Sequence, residues 1–195
     1  MAILITAISI ISMIALATPA SAALWQWEQV SEEGFDDLTN DYAWAMANYT
    51  VNGTEYLYVG TLNTDFSGGL GNAGCEVWRT NGTMDGGKYV WEQVVGPSGT
   101  QASAGFYNVP DGGGGFPPIA FGTRGMTVHD DLLWAGTMQR AEIFVTNGTA
   151  WKRANLPHFG TGWDNASSTR GITVYKGKIY AEAMDQTNGA SVSTI

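Results

Sequence analysis

From residue 43 onward, apolar and polar residues alternate with a period of two over short stretches separated by glycine, asparagine and aspartate. Alternation over four to eight residues between such turn signals reads as half-buried β-strands. The expected strands are 43–49, 56–62, 76–80 and 89–94, then 126–129, 132–138, 142–146 and 150–154, then 171–175, 178–184 and 190–193. The joints "HDD", "MQRA" and "NGTA" carry turn chemistry, because Asn and Asp tolerate positive φ and Gly adopts it without steric cost. Outside the N-terminal apolar run no stretch has a sustained helical period, so the chain reads as all-β.

The wording of these strands recurs. Trp27-Glu28-Gln29-Val30, Trp91-Glu92-Gln93-Val94 and Trp151-Lys152-Arg153-Ala154 align, and "EVWRTNGT" and "EIFVTNGT" precede the last two. A third copy, "TRGITVYKGKIYAEAM", parallels "TRGMTVHDDLLWAGTM". Four-stranded antiparallel units repeating along a chain are the blades of a β-propeller, with about three blades here, at roughly residues 31–94, 95–154 and an incomplete 155–195. Small residues at Gly60, Ala135 and Gly136 suit the crowded second strand, and an indole on each outer strand covers the gap between neighbouring sheets. The alternative architecture is a two-sheet sandwich. Three sheets do not fill a ring. Either further blades follow residue 195, which the ending in mid-strand favours, or two chains pair head to tail into a six-blade homodimer. The segment 24–30 is expected to be a lone outer strand.

Residues 1–22 change the setting. An uncharged apolar run, Pro19 and Ala20-Ser21-Ala22 make a signal peptide with a small-residue cleavage site, although the run lacks a basic start. The expected product is secreted or held at the cell surface, with no membrane span after signal removal. Eighteen acidic against nine basic residues leave a net charge of −9, a surface that repels nucleic acid. The single cysteine, Cys75, excludes an internal disulfide framework and reads as a small buried side chain.

"LYVGT", "GCEVWRTNGT" and a following tryptophan resemble the repeats of secreted bacterial and archaeal β-propeller proteins, whose outer hairpin is related to the Asp-box of sialidase-like propellers. The resemblance spans most of residues 24–195 and implies architecture rather than catalysis. In "TNGTAW" Asn147 stands where the Asp-box has aspartate, and in "TNGTMDGGKYVW" Asp85 sits in an expanded loop.

Candidate chemistry is sparse. His129 and His158 lack metal-ligand spacing and read as turn or surface residues; no metal, cofactor or catalytic set is expected. Carboxylates at Asp36, Asp37, Glu76, Glu142 and Asp164 keep open a sialidase-like glycoside hydrolase with an incomplete site. Glu76 and Glu142 recur at equivalent positions, which favours a structural role for both. Arg124 and Arg170 recur just before the innermost strand, and two roles are open: ion pairing near the axis, or ligand contact at the channel mouth together with Tyr42, Trp44 and the loop 106–121. Trp163 with Phe159 adds a stacking surface. The expected function is a binding or adhesion module for an extracellular glycan or protein, the alternatives being the hydrolase and a structural envelope protein. Sequons at Asn52, Asn81, Asn147 and Asn165 are candidate glycosylation sites, and the one at Asn48 falls within a strand.

Overall fold

A computed structural model of the chain describes residues 27–65, 67, 69, 72–110, 119–138, 141–154, 166–185 and 189–194. The expected signal segment 1–22, and with it His158, Phe159, Trp163, Asp164 and Asn165, lies outside the described residues.

The chain is antiparallel β-sheet built as three successive meanders. In the first, β1 (Asn40–Val51), β2 (Thr54–Asn63) and β3 (Val77–Thr80) lead to β6 (Glu92–Val95), with the small hairpin β4 (Met84–Asp85) and β5 (Lys88–Tyr89) inserted before the last strand. That hairpin is the expanded loop holding Asp85. The second meander repeats the order with β7 (Gly122–His129), β8 (Leu132–Met138), β9 (Ile143–Thr146) and β10 (Trp151–Arg153). In the third, β11 (Ala166–Ser168) bridges back to the second meander, and β12 (Ile172–Tyr175), β13 (Lys178–Asp185) and β14 (Gly189–Thr194) follow.

Each meander opens with a two-residue turn. Asn52-Gly53 (φ 50°, 81°), Asp130-Asp131 (φ 49°, 56°) and Lys176-Gly177 (φ 49°, 71°) all place both central residues at positive φ, the type I′ geometry that matches the twist of the flanking strands. The "TNGT" hairpins also repeat bond for bond. Gly82 N donates to Thr80 Oγ1 and Thr83 N to Asn81 Oδ1; Gly148 N donates to Thr146 Oγ1 and Thr149 N to Asn147 Oδ1.

A second repeated device is invisible in the alternation pattern. The turns Glu33–Asp36 and Ala104–Phe106 each contain a Gly-Phe pair at positive φ (59° and 59°; 61° and 57°). Phe35 stacks on Trp78 (5.3 Å, 9°) and meets Trp91 edge-on (5.0 Å, 77°), while Phe106 stacks on Phe144 (4.2 Å, 7°) and meets Trp151 edge-on (5.1 Å, 77°). Phe106 is therefore a core residue, fully buried with Tyr58, Leu133 and Val95, and not part of a channel-mouth loop.

Successive meanders are joined near the start of their first strands. Leu62 pairs with Gly122 and Met138 with Ser168, and Thr169 N donates to Thr137 O at 2.9 Å. The approach is close because a glycine faces each incoming threonine. A Cβ on Gly60 would lie 2.5 Å from Thr123 Cβ, and one on Gly136 would lie 2.6 Å from Thr169 Cγ2. In the third meander the equivalent position is Glu182, whose N–H bonds Gly171 O at 2.8 Å. Outward from this seam Tyr49 donates to Asp131 O (2.7 Å), and Arg79 and Gln101 both donate to Gly148 O (3.2 and 2.9 Å).

The described end of the segment 24–30 forms no strand. Val30 O instead accepts from Tyr89 N (3.2 Å) and Trp91 Nε1 (3.1 Å), which ties it to the first meander. The described strands form an open path and no closed barrel, and no helix among the described residues is long and apolar enough to cross a membrane.

Substituting Gly60 by alanine should lower stability by about 1–3 kcal/mol through overpacking. Its cost should shrink in a Thr123→Gly background; thermal melts of the four proteins measure that coupling, and strictly additive losses would remove the seat as the cause.

Candidate functional site

The expected ligand row assembles through a defect in strand pairing. In β1 the register slips between Ala43 and Ala45, and in β7 between Thr123 and Gly125. The residues at those slips are Trp44 and Arg124. A bulge leaves one residue unpaired and re-aims its side chain, so neighbouring meanders turn an indole and a guanidinium toward each other. Arg124 Cζ lies 4.2 Å from the Trp44 ring centroid, within cation–π range, and Tyr42 stacks on Trp44 at 5.9 Å and 11°. Gly122 lets the indole settle, since a Cβ there would fall 2.7 Å from Trp44 Cζ3.

Arg124 Nη1 donates to Ser168 Oγ at 3.0 Å. Burial pulls the Arg124 guanidinium below its ordinary range, the like charge of Arg170 pulls it further, and Glu182 opposes both. Among the described residues neither arginine makes a salt bridge. Tyr42 is 58 % exposed and Arg170 is exposed, while Trp44 and Arg124 are half-buried. Tyr42, Trp44 and Arg124 thus form one row, with Arg170 close enough to act on Arg124, and Trp163 lies outside the described residues. Ser168 and Glu182 belong to the row too; neither had a sequence signal beyond its place in the third repeat.

The carboxylates divide into two environments. In the second meander, Arg153 Nη2 donates to Glu142 Oε1 at 2.6 Å, and both side chains are 1 % exposed, a buried ion pair. In the first, Glu76 is equally buried, but position 93 carries glutamine where the second meander has Arg153. Glu76 Oε2 accepts from Asn40 Nδ2 (2.7 Å) and Trp78 Nε1 (2.8 Å). Burial drives its carboxyl above the usual range, hydrogen bonds from Asn40, Trp78 and Gln93 oppose this, and Asp37 adds to the rise. A cavity of about 460 Å³ opens beside it, walled by Phe35, Trp78, Gln93 and Thr100. Asp36 and Asp37 line the same cavity, but Asp37 is occupied in capping Thr39 N.

Cys75 is fully buried and accepts from Thr123 Oγ1 at 3.4 Å; burial pushes its thiol up to about 12, so it stays protonated and inert. His129 is half-buried at the end of β7, 3.4 Å from Asp130. No group of three or more metal-ligating side chains occurs among the described residues. Asn52, Asn81 and Asn147 occupy exposed turn positions, and Asn165 lies outside the described residues. No family model, curated protein or solved structure matches the chain.

Two outcomes test these environments. Arg153→Ala removes the buried counter-charge of Glu142 and should cost about 3–5 kcal/mol, measured by denaturant unfolding. Because the folded state favours protonated Glu76, its cost to stability grows as pH rises from the unfolded carboxylate range toward its raised folded value. The difference in melting temperature, Glu76→Gln minus parent, should therefore become more positive over that interval; a difference independent of pH would contradict the assignment.

Proposed function

We propose that the chain is an exported β-propeller repeat protein that binds acidic glycans through the row Tyr42, Trp44 and Arg124 together with Arg170. The observation that carries this reading is a guanidinium, Arg124, over the Tyr42–Trp44 pair with a second arginine, Arg170, close enough to act on it, in a protein of net charge −9. A guanidinium with unspent donors grips a carboxylate or sulfate, and exposed rings stack on the apolar face of a sugar. The like charges of Arg124 and Arg170 oppose each other, an effect that Glu182 works against.

The blade reading rests on the three antiparallel meanders, the type I′ turn that opens each, and the repeated glycine–threonine seat between them. The outer "TNGT" hairpin supports the resemblance to Asp-box propellers. Export rests on the apolar run before Ala20-Ser21-Ala22.

A glycan array displaying uronate, sialylated and neutral oligosaccharides is the test. Binding should favour the acidic set and should weaken about tenfold on Arg170→Ala or Tyr42→Ala, both exposed, with melting unchanged. Equal binding of neutral glycans, or binding indifferent to both substitutions, would remove the row from the reading. Turnover of the bound glycan would move the protein to the hydrolases.

A further inference from the structure

The first two meanders build the same five-residue constellation and finish it differently. In the second it is Phe106, Phe144, Trp151, Glu142 and Arg153; in the first it is Phe35, Trp78, Trp91, Glu76 and Gln93. The correspondence is geometric. Each phenylalanine stacks on the β3 or β9 ring and meets the outer tryptophan at 77°. Trp78 is paired in register with Gln93, and Phe144 with Arg153. Thr61 N bonds Glu76 O and Thr137 N bonds Glu142 O, both at 2.9 Å.

The electrostatic endings differ. Arg153 neutralises Glu142 inside the fold, whereas Gln93 brings no charge to Glu76. Gln93 is also held in place: its Oε1 accepts from Ser98 N at 2.8 Å, and Gly96 leaves room for its amide. The other cation near this end of β3, Arg79, is committed to Glu92 (2.8 Å) and Tyr58 (2.9 Å). Where the second constellation is closed over a fully buried Phe106, the first opens into the 460 Å³ cavity with Phe35 half-buried at its wall. Among the described residues Glu76 has neutral donors and no counter-ion; a carboxylate so placed is an incomplete ion pair, and a guanidinium from outside completes it.

We propose that the cavity beside Glu76 is a second binding site, which takes an arginine side chain presented by another polypeptide segment in the role that Arg153 plays toward Glu142. The planar guanidinium can fork onto the carboxylate while lying against the Phe35–Trp78 pair, where a lysine ammonium offers a point charge without the planar fork. This site is separate from the arginine–aromatic row and stands without it.

The test uses the full chain and the peptide acetyl-Gly-Arg-Gly-amide, with the uncharged citrulline peptide as its match. The arginine peptide should raise the melting temperature saturably and shift the Trp78 indole N–H resonance, while the citrulline peptide does neither. Gln93→Arg, which rebuilds the second meander's pair, should melt higher than the parent and bind the peptide at least about tenfold more weakly. Glu76→Gln should lose the response as well. Thr54→Arg, the same charge change at an exposed site away from the cavity, should keep it. The proposal fails if the citrulline peptide acts equally, if Gln93→Arg responds like the parent, or if Thr54→Arg loses binding as completely as Gln93→Arg.

Discussion

The spacing between successive meanders depends on two absent side chains. With only hydrogen at Gly60 and Gly136, Thr123 and Thr169 come in close enough for the first strand of one meander to bond the second strand of the meander before it. Every contact farther out inherits that spacing. Tyr49 reaches Asp131, Arg79 and Gln101 reach Gly148, and Phe106 slides between Trp151 and the core of the first meander. One added methyl at the seam would have to be absorbed along the whole edge, because packed interiors yield little.

The same closeness creates the arginine–aromatic row. Strands that converge at the seam carry their extra residue there, and the slip turns Trp44 and Arg124 out of the ladder and onto each other.

The strands were legible because period-two alternation is imposed by burial of one face, and the hairpin turns because Asn-Gly and Asp-Asp carry a backbone preference. β2, β8 and β13 fall close to the stretches read from alternation. The bulges were not legible, since a single unpaired residue leaves the alternation on either side intact. Nor were the Gly-Phe turns, whose two-residue signature means nothing until Phe35 and Phe106 are seen against their rings. The recurrence of Glu76 and Glu142 did point to a structural role, which fits Glu142 beside Arg153. It concealed Glu76, because the informative difference lay in "WEQV" against "WKRA", a pair of segments read only as strand markers. Residues 27–30 likewise follow Val30 to the first meander, whereas their likeness to the other Trp-led segments marks them as a lone outer strand.

Chains with similar repeats risk pairing with the wrong neighbour, since each threonine-bearing strand has two similar hollows, at Gly60 and Gly136, to choose from during folding. Glu182 removes one choice. A strand led by Thr123 or Thr169 that strayed onto β13 would meet a half-buried side chain ending in a carboxylate where Gly60 and Gly136 leave space. The order of the meanders is thus encoded by an obstruction at one seat as much as by the room left at the other two.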